Sequence, residues 1–235
     1  MENTKKQAIT IPTAIIAAGF LIMVGLLLTG GINSGVSNKD KTLSEQVGVK
    51  KTAFAACMEK TDLQALKTTT DASAELAMKG LPLEQRGTPY SVIVGKNGVK
   101  TEIRGAYPKE EVQKLIAEVN SGKVTTPYTG EIPGYEEGDH IIGSPDAQIV
   151  IIEYADLECP YCKKFGKIMK EIVAESDGNV AWVYRHWIVH PTALVKSGAA
   201  ECVAKIQGNN AFWKYIDLVF GLMKTEDDVA STDNL

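Results

Sequence analysis

Residues 147–154, AQIVIIEY, are apolar at nearly every position, and two cysteines, Cys159 and Cys162, follow directly after. A strand polar on one face would alternate; a continuous apolar run is the pattern of a strand covered on both sides. Beyond the cysteines, Ile168, Ile172 and Val173 recur at helical spacing. The pair Cys159-Pro160-Tyr161-Cys162 therefore lies where a buried strand turns into a helix, and the expected class is α/β.

That location has chemical consequences. A thiolate, not a thiol, attacks disulfides, so exchange chemistry needs a cysteine of lowered pKa. At the first turn of a helix, unpaired backbone N–H groups and the helix dipole favour negative charge. Cys159 is assigned as the nucleophile. Cys162, one turn further in and less exposed, is assigned as the resolving thiol. Pro160 suits the first helical position, where it sacrifices no needed donor, and Tyr161 stands between the sulfurs to tune the potential. The competing reading is half of a zinc site. It lacks a second CxxC, and the remaining candidate ligands, Cys57, Cys202 and three histidines, are scattered. A structural local disulfide is the other alternative. No metal and no organic cofactor is expected.

The N-terminus sets the compartment. No charged residue occurs between Ala8 and Gly31, residues 15–28 are almost wholly apolar, and Lys5 and Lys6 precede them. About 20 such residues span a bilayer core, and the flanking lysines keep the N-terminus inside. Residues 1–31 read as a membrane anchor and 32–42 as a tether. The protein is expected in the cell membrane as a single-pass chain with its catalytic domain extracytoplasmic. A cleaved signal peptide is the alternative, although the apolar run is long for one and no clear small-x-small site follows Leu28. The net charge of −4, with no dense Lys/Arg stripe, argues against a nucleic-acid partner.

Between tether and strand, helical patterning covers residues 43–60 with a break at Gly48, and again 62–79. Strands follow at 90–94 and 99–104 around Asn97-Gly98, a strong hairpin signal, then a helix from Pro108 to Gly122. Residues 123–142, rich in Gly, Pro and Thr, read as a linker. After the cysteine helix come a strand at 179–189 and helices at 192–205 and 211–224. Ser231-Thr232-Asp233 looks like a helix cap.

The segment from Tyr154 through Phe165, YADLECPYCKKF, resembles the active site of the DsbA-like branch of the thioredoxin superfamily. Val183-Tyr184-Arg185-His186, His190-Pro191 and Phe212-Trp213 extend the likeness. The resemblance implies a thioredoxin-like mixed sheet with a helical insertion. It implies a proton-transfer role for the carboxylate of Glu153, six residues before Cys159. It also implies that Pro89, in Gly87-Thr88-Pro89-Tyr90, is the cis proline facing the cysteines, with the Thr88 backbone offered to a substrate peptide. Without the resemblance, Pro89 would be read as trans and Glu153 as an ordinary strand-end residue.

In DsbA-like proteins the CxxC half comes first. Here the cis-Pro half, residues 43–122, precedes the CxxC half, 143–235, as though the chain were circularly permuted within the helical insertion. Joining Leu235 to Leu43 would supply the helix for the Ser231-Thr232-Asp233 cap. A linker of about 20 residues behaves as a coil of roughly 25 Å, enough to close the fold within one chain. Exchange of halves between chains, independent fragments and a gene-assembly artefact are the alternatives. With Cys159 and Cys162 paired locally, Cys57 and Cys202 are left for each other, and relatives often carry one cysteine at each place. Such a disulfide would staple the halves; two unpaired buried thiols are the alternative.

The resulting expectation is a thiol–disulfide oxidoreductase forming a mixed disulfide on Cys159 that Cys162 resolves. The resemblance to the oxidase branch implies reduced exported proteins as substrates and a quinone-linked membrane thiol oxidase as regenerating partner. A reductase or isomerase on the same fold, a non-catalytic tethered binding or chaperone module, and an inactive rearranged product are the rivals.

Overall fold

A computed structural model describes residues 41–223. The proposed anchor at 1–31, the tether up to residue 40 and the cap at Ser231-Thr232-Asp233 lie outside the described residues. Among the described residues, no helix is long and apolar enough to cross a membrane.

The chain enters through α1 (Leu43–Gln46), opened by a capping box in which Thr42 and Glu45 satisfy each other's backbone N–H groups. Thr42, read as the end of the tether, is thus already part of the folded unit. Helix α2 (Lys51–Lys60) and helix α3 (Leu63–Ala77) follow, the second capped by the Asp62 carboxylate. Strands β1 (Tyr90–Gly95) and β2 (Lys100–Arg104) form the expected hairpin. At its turn Gly98 has φ 83°, a conformation that favours glycine. Helix α4 (Lys109–Ser121) ends on Gly122 in the left-handed conformation.

The second half contains β3 (His140–Ile142), β4 (Ile149–Ala155), α5 (Pro160–Ala174), β5 (Val180–His186), α6 (Ala193–Gln207) and α7 (Asn209–Gly221). One five-stranded sheet joins the halves in the order β2-β1-β4-β5-β3. Strand β1 runs antiparallel to both β2 and β4, β4 is parallel to β5 through the α5 crossover, and β3 closes the far edge antiparallel to β5. The halves therefore close within one chain.

All seven residues of β4 are buried, as its apolar run requires. Ile149, Ile151 and Ala155 face a core shared with α5, α6 and α7, which also holds both CxxC cysteines. Val150, Ile152 and Tyr154 face a second core with Ala74, Ala77 and Met78. Glu153 lies on the cysteine side by the same alternation.

Two features join the halves beyond the sheet. Cys57 on α2 and Cys202 on α6 form a disulfide across 145 residues, with Cα atoms 5.8 Å apart, so the alternative of two unpaired thiols does not hold. The segment after α4, expected as a linker at 123–142, is partly structured. Its last residues form β3, and the rest lies against the fold: Thr101 Oγ1 donates to Thr126 O, Tyr128 Oη to Ala77 O, and Glu131 N to Leu76 O. Three residues among glycines carry no periodic signal of a strand; neighbouring β5 supplies the pairing.

Candidate active site

Cys159 is the N-cap of α5, and Pro160 occupies the first turn, as the sequence implies. Asp156 builds the loop that delivers it. This carboxylate is fully buried and accepts the backbone N–H of Glu158 at 2.7 Å through one oxygen. Through the other it accepts those of Val189 at 2.7 Å and His190 at 2.8 Å. Three charge-assisted bonds lock the strand-to-helix turn onto the loop after β5. Sequence reading passed over Asp156, because its partners are backbone groups that no side-chain pattern announces.

Both CxxC cysteines carry free thiols and both are buried, with Cys159 3% and Cys162 1% exposed. The expected difference in exposure is small; what separates the two sulfurs is electrostatic. The Cys159 thiol is pulled down to about 6, first by a hydrogen bond with Cys162, then by the Thr88 side chain and the backbone N–H groups of Cys162 and Tyr161, against the opposing effect of burial. Burial drives the Cys162 thiol well above its ordinary value, reinforced by its bond to Cys159 and by the charge of Glu153. Tyr161 stands out from the surface at 64% exposure.

The other half of the chain completes the site. The Thr88–Pro89 peptide bond is cis, and Cys159 Sγ donates to the Thr88 carbonyl at 3.3 Å. Two segments 71 residues apart meet here. Residues 135–233 match the thioredoxin family model, described as Thioredoxin. Over those residues, which hold both CxxC cysteines, the chain is similar to the thioredoxin family.

The curated relatives each match less than half of this chain. The chain is 36% identical over 107 residues to Na(+)/H(+) antiporter NhaA 3 of Salinispora tropica, covering 44% of this chain and 15% of that protein. It is 33% identical over 100 residues to NhaA 1 of Mycolicibacterium gilvum, covering 41% and 15%. Over 94 residues it is 36% identical to NhaA of Herminiimonas arsenicoxydans, covering 40% and 15%. The chain thus spans a small part of these antiporters. Among solved structures, DsbA2 of Pseudomonas aeruginosa shares 37% identity over 37% of this chain and 50% of that one, with a TM-score of 0.34.

Beneath the sulfurs, Glu153 is 1% exposed and accepts a hydrogen bond from Trp182 Nε1 at 2.8 Å. Burial raises its carboxyl to about 8, against the pull of the Trp182 bond, and the Cys159 charge raises it further. Glu158, beside Cys159, is held below its usual range by its hydrogen bond from Lys196 at 2.6 Å. A lysine thereby offsets a carboxylate whose charge would oppose thiolate formation. Neither Trp182 nor Lys196 was legible as a site residue. A cleft of about 400 Å³ lined by Glu158, His190, Lys196, Tyr215, Val219 and Leu222 opens alongside. Cys57 and Cys202 stand apart as the staple between α2 and α6. Among the described residues, no group of three or more His, Cys, Asp or Glu side chains is arranged to hold a metal.

Proposed function

We propose that this protein is a membrane-anchored extracytoplasmic dithiol oxidase, introducing disulfides into exported proteins through a mixed disulfide on Cys159. The observation that carries the reading is the 3.3 Å contact between Cys159 Sγ and Thr88 O, at a cis Thr88–Pro89 bond. It sets a low-pKa sulfur against a backbone strand end able to pair with an extended peptide.

The reaction balances as follows. In the oxidised enzyme a substrate thiolate attacks Cys159 Sγ; the new substrate–Cys159 bond forms and the Cys159–Cys162 bond breaks. Its electron pair goes to Cys162, which takes a proton from the Glu153 carboxyl. A second substrate thiolate attacks the substrate sulfur of the mixed disulfide, and Cys159 leaves as thiolate. The substrate gains a disulfide and the enzyme gains two electrons, which a quinone-linked membrane thiol oxidase removes. In the reverse sense Cys162 resolves the mixed disulfide. Thr88, Pro160 and Tyr161 frame the approach of the peptide.

The lowered thiol supports the oxidising direction. A thiol at about 6, against an ordinary value of 9.0, stabilises the reduced enzyme at pH 7 by about 1.4 kcal/mol, or about 30 mV. The order of the halves is read as a circular permutation. Supporting it, the family match begins at residue 135, while the cis-Pro hairpin before that point pairs with β4. The membrane anchor rests on the apolar run before residue 31.

The test is the Cys159–Cys162 potential together with oxidation of a reduced peptide. A potential well above about −270 mV, that of thioredoxin, and activity abolished by Cys159→Ser support the oxidase. A thioredoxin-like value moves the reading to a reductase or isomerase, and unchanged activity in Cys159→Ser moves it to a non-catalytic binding module.

A further inference from the structure

Glu153 is buried, and among the described residues its one hydrogen-bond donor is the indole of Trp182, at 2.8 Å. The register of the sheet makes this pairing specific. Glu153 stands opposite Tyr184 on β5, so Trp182, two residues earlier, shares that face and reaches along the strand. On β1 its counterpart is Ser91, fully buried and uncharged. The indole packs against two helices. Trp213 of α7 lies at a ring-centroid distance of 4.6 Å. A Cβ at Gly166 of α5 would stand 3.4 Å from Trp182 Cη2, so the glycine lets the ring pack close to the cysteine helix.

We propose that Trp182 is a positioning residue for proton transfer: its N–H fixes one oxygen of Glu153 and leaves the other to exchange a proton with Cys162. The inference rests on the thiol–disulfide reading given above. When the Cys159–Cys162 bond breaks, Cys162 gains an electron pair and a proton, and Glu153 becomes a carboxylate inside the protein. An unpaired buried carboxylate is strongly disfavoured, whereas a hydrogen bond to its charged form lowers that penalty. The indole supplies the bond without adding a positive charge, so the carboxyl stays protonated near neutral pH and ready to donate. The ionisable groups coupled to this carboxyl or to its neighbours are Cys159 and Cys162 on α5, Tyr184 on β5 and Asp156 at the end of β4.

The experiment titrates the Glu153 carboxyl by carbon NMR in the reduced full-length protein, beside the pH profile of single-turnover peptide oxidation. Trp182→Phe is expected to raise the carboxyl midpoint by about one pH unit and to displace the pH profile equally. In a Glu153→Gln background, Trp182→Phe should displace nothing further. An unchanged midpoint in Trp182→Phe, or a displacement that persists without Glu153, overturns the inference. If Trp182→Phe fails to fold, benzothienylalanine at position 182 keeps the ring shape without the N–H and is read in the same way. Cys159→Ala separates the two claims. Wild-type oxidation rates in that variant would overturn the enzymatic reading, while the NMR midpoint still reports on Trp182 alone.

Discussion

Arg185 on β5 holds Asp139 by two parallel bonds, Nε to Oδ1 and Nη2 to Oδ2, both 2.8 Å. The same guanidinium donates to Tyr154 Oη at 3.2 Å and to Gly134 O at 2.9 Å. One arginine thus ties the connection between the halves to the centre of the sheet. Its side chain is 10% exposed and that of Asp139 9%, so removing one partner strands a buried charge. Arg185→Ala should lower stability by about 3–5 kcal/mol, measured by denaturant unfolding of the oxidised protein. A loss below about 1 kcal/mol would mean the connection is held by its backbone bonds instead.

Cys159 should show a thiolate midpoint near 6 in the reduced protein, read from the pH dependence of alkylation or of thiolate absorbance. Thr88→Val removes one of the side-chain bonds that hold the midpoint down, so it should rise. A wild-type midpoint at the ordinary thiol value of 9.0 would contradict the electrostatic account.

Glu153 should weaken the fold as pH rises. Its folded pKa, about 8, lies above the ordinary value of 4.5. Between those values the folded state binds a proton that the unfolded state does not, so stability falls with increasing pH and levels off above about 8. Glu153→Gln removes this slope and should be more stable than the parent at pH 8 by roughly 2–4 kcal/mol. Unfolding curves of both proteins from pH 5 to about 9 check this; parallel pH profiles would refute it.

The staple between Cys57 and Cys202 closes a separation of 145 residues. In the chain-entropy account such a loop contributes up to about 5 kcal/mol. Replacing both with alanine should lower stability by roughly 2–5 kcal/mol while leaving the Cys159 midpoint unchanged. A moved midpoint would show that the staple also shapes the site.

Much of this was legible because it is local. The run 147–154 announced a doubly covered strand, Asn97-Gly98 a hairpin, Gly122 a helix end and Pro160 a helix start. The cis state of Pro89 and the place of Glu153 were reachable only through resemblance, since nothing in their own neighbourhoods demands them. Hidden altogether were groups defined by their neighbours in space: Asp156, whose partners are backbone N–H groups, and Trp182, whose partner is set by register. Glu201 is another. His140 Nε2 lies 2.9 Å from its Oε1, and His186 Nε2 lies 3.4 Å from the same oxygen. Histidines that looked scattered along the chain converge on α6 because β3 and β5 are adjacent.

The position of β1 between β2 and β4 also bears on biosynthesis. Its first neighbour is made within a few residues, but its second emerges only after the connecting segment has been translated. Until then the nascent hairpin presents an open row of amide and carbonyl groups along an apolar ribbon, an invitation to intermolecular pairing. A chain built in this order has reason to depend on a holdase while its latter half is still on the ribosome.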